Sequence, residues 1–167
     1  CSCVLAMGSF CRNDLVHYTL SPHDIVLNGE GNIKILPMEM SDFGFDYSVK
    51  KDFYYSPEML RALKCTSQLV LNNKSGVFTL AMTLLHLINL KPMNFLYDLD
   101  EMTVDFAVLN RLVENVCDDH IRHILKKMVK VAPYERITFT ELEDMLYGML
   151  ENKNTENDQV SRLEDSI

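Results

Sequence analysis

Residues 17–27, with the sequence HYTLSPHDIVL, bring together the side chains of this chain that could do chemistry at one site. Asp24 is a carboxylate, and carboxylates suit Mg²⁺. Thr19 and Ser21 carry neutral hydroxyls, and a neutral hydroxyl cannot act as a base near neutral pH because its proton is held too tightly. The stretch therefore offers one candidate cation ligand, but position 19 has no group that could accept a proton from a substrate.

Two short β-type runs follow Asp24 directly, at residues 25–27 and 33–36. Residues 28–32 join them and contain glycine, and a glycine-bearing connection of this length is typical of a β-hairpin. Pro37 ends the second run because proline has no N–H to donate to a neighbouring strand. The sequence therefore places Asp24 at the entrance of a hairpin near the N-terminus.

Helical patterns account for most of the remaining chain. Residues 1–12 have the character of the end of a helix, and Ser56-Pro57 begins a short helix with a cap and a proline in its first turn. Residues 76–90 are apolar nearly all the way round, as in a helix that is buried on every side. Two amphipathic helices are expected at residues 105–116 and 120–131, the second with Ile121 on its apolar face.

The last helix is predicted from a capping-box pattern, Thr138 followed three residues later by Glu141. After Leu150 the composition becomes polar, and residues 151–167 are expected to form a disordered tail. We therefore expect one domain at residues 1–150, of the mainly α class (α+β). It would be a helical bundle around a buried central helix, with a short β-hairpin near the N-terminus.

Composition narrows the class of protein further. The formal net charge of −8 argues against binding to nucleic acid or to anionic membranes, because both need a basic surface. The longest apolar stretch, residues 77–90, is shorter than the roughly 20 residues that span a bilayer. Five scattered cysteines fit free thiols in a reducing compartment, so we expect a cytoplasmic protein. Cys1, Cys3 and Cys11 lack the second pair of a zinc site, so no metal is expected there.

The order of these pieces resembles the C-terminal lobe of the eukaryotic protein kinase family. In that family the catalytic loop reads H-R-D-L-x-x-x-N and is followed by a hairpin, an A-P-E segment and a buried central helix. The resemblance covers roughly residues 5–150. Five segments carry it in family order: His17 with Leu20, the hairpin at 25–35, Ser56-Pro57-Glu58, residues 74–81 and residues 125–136.

The resemblance implies structural roles for three residues. His17 matches the His of the catalytic loop, which packs as a structural pin in the family. Glu58 matches the Glu of A-P-E, and Arg136 matches a late Arg; in the family these two form a buried ion pair that ties the activation segment to the helical core. We therefore expect an ion pair between Glu58 and Arg136.

The positions at which this sequence departs from the family are those that carry out or support phosphoryl transfer. Tyr18 stands for the Arg that pairs with a phosphorylated activation loop, Thr19 for the catalytic base and Ser21 for the Lys that steadies the transferred phosphate. Asp24 stands for the metal-binding Asn, and Gly76 for the Asp that anchors the catalytic loop from beneath. The resemblance therefore implies degenerate catalytic-loop positions and no catalytic residue.

The position of the family's metal-binding D-F-G segment has two interpretations. Asp42-Phe43-Gly44 spells the motif, which makes Asp42 a second candidate ligand for a metal. In the family one residue separates the hairpin strand from that Asp, whereas residues 36–41 separate Ile35 from Asp42. Family spacing puts Pro37-Met38-Glu39 in the slot, and proline cannot bind a metal. We favour the second alignment, and an insertion that restores Asp42 stays open.

The predicted function is that of a pseudokinase: a kinase-like domain without activity that binds a protein partner, such as an active kinase or its substrate. Loss of the base, the Lys and the Asn should remove most of the rate, because phosphoryl transfer depends on positioning and electrostatics. No cofactor is then expected, and no binding of nucleic acid or membrane.

Two alternatives remain open. In the first, the chain is part of an atypical active Ser/Thr protein kinase, with Asp24 or Asp42 holding Mg²⁺ while ATP donates phosphate to protein hydroxyls. In the second, it is a gene fragment without a selected role, since it begins at Cys1 inside an expected helix. The chain contains neither G-x-G-x-x-G nor V-A-I-K, the motifs of the N-terminal lobe, so that lobe is not expected within it.

Overall fold

The fold is mainly helical with a two-stranded hairpin near the N-terminus, which confirms the predicted class. Residue 151, expected to open the tail, is helical, and residues 152–167 lie outside the described part of the chain. The computed structural model describes residues 2–13, 19–36, 54–65, 73–149 and 151.

The helices and strands follow the predicted order, with one additional pair of strands. The helices are α1 (Ser2–Arg12), α2 (Pro57–Cys65), α3 (Asn73–Asn89), α4 (Phe106–Glu114), α5 (Asp119–Met128) and α6 (139–149). The strands are β1 (Ile25–Leu27), β2 (Ile33–Ile35), β3 (Tyr97–Asp98) and β4 (Thr103–Val104). Among the described residues, short 3-10 turns lie at Pro22–Asp24, Asn94–Leu96 and Pro133–Glu135.

The predicted hairpin is formed by β1 and β2, which pair antiparallel with Val26 opposite Lys34. Asn28 builds the turn, because its Oδ1 accepts hydrogen bonds from the backbone N–H of Glu30 (3.1 Å) and of Asn32 (2.8 Å). Gly31 adopts a φ of +80°, a conformation that favours glycine. The structure thus shows why the turn has this length and why it contains glycine.

Helix α3 forms the centre of the core. Every residue from 75 to 83 is buried, as the nearly continuous apolar pattern predicts. The helix begins three residues before the predicted start and ends where Leu90 takes a left-handed φ of +50°. Among the described helices none is long and apolar enough to cross a membrane.

Capping residues set the ends of the outer helices. Asp105 accepts from the N–H of Val108 at the start of α4, and Asp118 accepts from two N–H groups at the start of α5. At α6 the predicted capping box is present: Glu141 Oε2 accepts from Thr138 N (2.7 Å), and Thr138 Oγ1 accepts from Glu141 N (3.2 Å). Each cap satisfies backbone donors that the first turn of a helix leaves without partners.

One detail of the predicted α5 packing is wrong. Ile121 was placed on the buried face with Ile124 and Leu125, but its side chain is 41% exposed while the other two are buried. Ile121 lies in the first turn of α5. The part of this helix that contacts the core begins further along, at Ile124. Angular position around a helix predicts the side that faces inward, but not how far along its axis the contact extends.

The second hairpin, β3 with β4, was not predicted. Each strand has only two residues, Tyr97 paired with Val104 and Asp98 with Thr103. Asp98 Oδ1 accepts from the N–H groups of Asp100 (3.1 Å) and Glu101 (2.9 Å), which closes the turn without glycine. Strands this short give no alternating pattern in the sequence, so this element could not be recognised.

An ion pair joins α1 to α6 across the length of the chain. Arg12 Nη1 donates to Glu143 Oε1 (3.0 Å) and to Glu143 Oε2 (2.8 Å). Gly8 makes room for this carboxylate, because a Cβ atom at that position would lie 1.9 Å from Glu143 Oε1. The N-terminal helix is thereby held against the C-terminal helix.

Candidate functional site

The turn that precedes the hairpin holds the three residues that the sequence analysis singled out, Thr19, Ser21 and Asp24. Thr19 is 5% exposed and Leu20 is fully buried, so position 19 faces the interior. Asp24 Oδ2 accepts from the backbone N–H of Ser21 (2.8 Å) and from its hydroxyl (2.9 Å). One carboxylate oxygen of Asp24, the candidate cation ligand, is thus already used in hydrogen bonds within its own turn.

The turn is attached to the central helix by a hydroxyl that the sequence analysis did not identify. Thr83 Oγ1 lies 2.8 Å from Leu20 O and 2.9 Å from Thr79 O, and its single proton can serve either acceptor. Gly76, the residue that the sequence analysis compared with an anchoring Asp, has no side chain and lies about two helical turns earlier on α3. The attachment is therefore made from the middle of the helix.

Replacing Thr83 with Val should detach this turn at a modest cost. The substitution keeps the shape of the side chain but leaves the buried Leu20 carbonyl without its donor, which should lower the free energy of unfolding by about 1 kcal/mol. Urea denaturation measures this change. Thr79→Val is the matched control, because the Thr79 hydroxyl bonds only the Gly76 carbonyl within its own helix, at 3.1 Å. Equal losses in the two variants would contradict the assignment.

Arg136 lies at the centre of a second cluster, and its side chain is completely buried. Nη1 donates to Glu58 Oε1 (2.7 Å) and to Lys74 O (2.9 Å), while Nη2 donates to Glu58 Oε2 (2.8 Å) and to Val131 O (3.0 Å). Nε donates to Lys130 O at 2.7 Å. An arginine has five N–H donors, and all of them are used here. The ion pair predicted between Glu58 and Arg136 is present.

The cluster connects the starts of two helices to a later turn. Glu58 lies in the first turn of α2 and also accepts from Ser75 Oγ, in the first turn of α3, at 2.7 Å. Lys74 Nζ donates back to Arg136 O at 2.7 Å, and the Phe78 ring lies 5.0 Å from the guanidinium carbon. Because the partners come from distant parts of the chain, the cluster holds α2 against the core.

The environment of Glu58 changes the pKa of its carboxyl group. Burial is the largest single influence and acts to raise this pKa, but the hydrogen bonds from Arg136 and Ser75 and the charge of Arg136 together outweigh it. The net result is a pKa below the usual value for glutamate. Glu58 therefore stays ionised and paired through the whole neutral range.

This lowered pKa predicts a loss of stability in acid. The unfolded chain takes up a proton on Glu58 at a higher pH than the folded chain does. The stabilisation is therefore complete above the normal glutamate pKa and is lost as the pH falls through the lower, folded value. Free energies of unfolding in urea between pH 7 and pH 3 should show this decline.

Glu58→Gln should flatten the decline, since an amide does not titrate in this range. Glu101→Gln is the matched control, because it makes the same chemical change in an exposed pair with Lys64, and the flattening should be larger in Glu58→Gln than in this variant. Part of the slope will persist in both variants, because hydrogen bonds from Thr138 also lower the pKa of Glu141. A wild-type slope in Glu58→Gln would contradict the prediction.

The residues that precede α2 are held by a network of aromatic side chains. Tyr54 is fully buried, and its hydroxyl lies 2.7 Å from His86 Nδ1 and accepts from Met93 N at 3.0 Å. Tyr97 stacks against the Tyr54 ring and donates its hydroxyl proton to Tyr55 O at 3.0 Å. The start of the segment Ser56-Pro57-Glu58 is thus held in place by the contacts of Tyr54 and Tyr55.

Several predicted positions lie outside the described residues. They are His17, Tyr18 and both candidates for the D-F-G segment, Pro37-Met38-Glu39 and Asp42-Phe43-Gly44. Of the predicted site residues that the structure describes, Thr19, Ser21 and Asp24 lie together in one turn, and Glu58 lies with Arg136 in a separate cluster.

A scan of models of known protein families and a search of curated proteins both find no match to this chain.

Cys3 and Cys11 of α1 lie too far apart to bind one metal ion together, and Cys1 lies outside the described residues. Cys3 and Cys11 are eight residues apart on one helix, which separates them by about 12 Å along its axis. Burial raises the pKa of both thiols, so both remain protonated at neutral pH. Within the described residues no three His, Cys, Asp or Glu side chains come close enough to hold a metal ion together.

Proposed function

We propose that this chain is a kinase-like C-terminal lobe without phosphotransfer activity, and that it serves as a protein-binding module. The observation that carries the proposal is the turn at residues 19–24. A hydroxyl occupies the position of the base, and the Asp24 carboxylate that replaces the metal-binding Asn is engaged by Ser21. The hydroxyl cannot serve as the base, and one of the two carboxylate oxygens of Asp24 is already used within its own turn.

The proposal is also supported by what the chain keeps. The Glu58–Arg136 pair, with every guanidinium donor satisfied, has no part in chemistry on a bound phosphate and serves to hold α2 on the core. Retention of a structural bridge together with loss of the reactive groups fits a domain used for its shape. We propose a protein partner, an active kinase or a substrate of one, and a cytoplasmic location.

A phosphotransfer assay tests the absence of activity. The chain is incubated with labelled ATP, Mg²⁺ and a peptide rich in serine and threonine, beside an active protein kinase as a positive control. We expect no transfer above the level of a boiled sample. Transfer by the wild type that is lost in Asp24→Ala or in Asp42→Ala would overturn the proposal and favour the atypical active kinase.

Nucleotide binding is tested separately by thermal unfolding. A ligand that binds only the folded state must raise the melting temperature, and saturation at 100 times Kd stabilises by about 2.7 kcal/mol. We expect no shift with millimolar ATP and Mg²⁺. A saturable shift that requires Mg²⁺ and disappears in Asp24→Ala would show a nucleotide site and count against a purely protein-binding role.

A further inference from the structure

The outer edge of strand β1 carries main-chain groups that the β1–β2 hairpin does not use. Leu36 N donates to Asp24 O at 2.8 Å, so residues 24 and 36 form a hydrogen-bonded pair of the antiparallel ladder. Hydrogen-bonded and non-hydrogen-bonded pairs alternate along such a ladder. The N–H and C=O groups of Ile25 and Leu27 therefore point away from β2.

Three of these four main-chain groups are left without a partner. The Ile25 N–H donates to Pro22 O. The C=O of Ile25 and both the N–H and the C=O of Leu27 make no hydrogen bond in the part of the chain that the structure describes. Leu27 is 66% exposed, so these groups can be reached from solvent. An open strand edge of this kind is a template for pairing with another strand.

The side chains of β1 are apolar on both faces of the hairpin. Leu27 lies on the same face as Ile25, Ile33 and Ile35, because alternate residues of a strand and residues directly opposite each other share a face. Those three isoleucines pack against the core, whereas Leu27 extends beyond it and is largely exposed. On the other face Val26 is 42% exposed. The strand has neither a lysine nor a proline, two residues that commonly protect an exposed edge.

We propose that an extended, apolar segment of a partner protein adds to β1 as a third strand. In antiparallel pairing, one residue of the segment exchanges two hydrogen bonds with Leu27, and the residue two positions further along donates to Ile25 O. The unpaired main-chain groups select a β-strand as the occupant, and the exposed Leu27 and Val26 select apolar side chains in it. The inference rests on the proposed protein-binding role and gives that role a surface.

The length of the edge favours a partner segment over a second copy of this chain. Strand β1 has three residues, which extend over about 10 Å. A stable interface between two folded proteins buries about 1,200–2,000 Å² in total, far more than the pairing of two such short strands provides. An extended segment suits a short edge, because main-chain hydrogen bonds give it affinity and alternate side chains give it specificity.

The test is a fluorescence anisotropy titration of the intact chain with a labelled peptide of sequence KVTVTVTVE, whose net charge is zero. We expect saturable binding. Leu27→Lys should weaken it about tenfold, which corresponds to 1.4 kcal/mol, because a charge then lies beside the added strand. Leu90→Lys is the matched control: it makes the same change at a leucine that is 89% exposed after the end of α3, and it should change the affinity less than twofold. Circular dichroism confirms that each variant folds.

Two further measurements test the pairing of the main chains. N-methylation of the peptide's valines blocks the amides that face β1 when the valine side chains share the face of Leu27, so binding should be lost. N-methylation of its threonines alters amides on the opposite edge, so binding should persist. Bound peptide should also slow the amide hydrogen exchange of Leu27, while the Val26 amide, which points toward β2, should change little.

Equal weakening by Leu27→Lys and Leu90→Lys would overturn the inference, as would binding that survives N-methylation of the valines or no binding at all. Sedimentation velocity adds another such outcome: a dimer of the chain that is lost in Leu27→Lys would mean that a second copy occupies the edge. These failures differ from a failure of the proposed function. The phosphotransfer assay does not involve β1, so an inactive chain that ignores the peptide keeps its proposed role with a different docking surface.

Discussion

Arg136→Ala should cause the largest loss of stability of any substitution outside the apolar core, about 3–5 kcal/mol. The substitution leaves the Glu58 carboxylate in a largely buried position without its partner, and three backbone carbonyls lose a donor: those of Lys74, Lys130 and Val131. Glu58→Ala should cost a similar amount, because it leaves a buried guanidinium without its counterion. Urea denaturation at pH 7 measures both.

The double variant separates the ion pair from its surroundings. Glu58→Ala with Arg136→Ala should cost clearly less than the sum of the two single losses, since no isolated buried charge remains. Should Arg136→Ala fail to fold, Arg136→Lys keeps the charge but loses the planar fork, and an intermediate loss is expected. Lys64→Ala, which breaks the exposed pair with Glu101, should cost no more than about 1 kcal/mol. Additive losses would show that the two residues are not coupled.

Tyr54→Phe should be the most damaging polar substitution outside the Glu58–Arg136 pair, with a loss of about 1–3 kcal/mol in the free energy of unfolding. The phenylalanine ring fills the same space, so packing against Tyr97 is preserved. The Met93 N–H is buried and loses its acceptor, and His86 Nδ1 loses the hydroxyl at 2.7 Å. The cost thus comes from polar groups left without partners, and thermal and urea unfolding both report it.

Tyr97→Phe is the matched control for this effect. It also removes a tyrosine hydroxyl from the same aromatic pair, but that hydroxyl makes one hydrogen bond, to Tyr55 O. A carbonyl that loses one donor keeps a second lone pair, so a loss of about 1 kcal/mol is expected. If Tyr97→Phe proved as damaging as Tyr54→Phe, the Met93 and His86 contacts would carry no special weight.

Local chemistry made much of the fold predictable. The β1–β2 turn, the start of α2 at Pro57 and the Thr138–Glu141 capping box each depend on residues close together in the sequence. The burial of α3 followed from its nearly continuous apolar pattern. The β3–β4 hairpin escaped because an Asp98 side chain, not a glycine, closes its turn. Contacts of this kind leave no periodic signal.

The candidate site divides in the same way. The Glu58–Arg136 pair was predicted only through a family resemblance, because nothing local in the sequence links residues so far apart. The Thr83 hydroxyl beneath Leu20 was missed: a threonine inside an apolar helix carries no sign of which carbonyl it will meet. The engagement of Asp24 by Ser21 was also missed, although a Ser three residues before an Asp is a known turn pattern that could have indicated it.

The saturation of Arg136 has a consequence for the way this region opens. No proton of its guanidinium is left to bind an outside anion, so the cluster can be released only by breaking bonds to several backbone segments together. The first turns of α2 and α3 and the loop at 130–136 should then exchange their amide hydrogens with a shared free energy, as one cooperative unit. If one segment frayed by itself instead, the amide hydrogens of the other segments would stay protected from exchange.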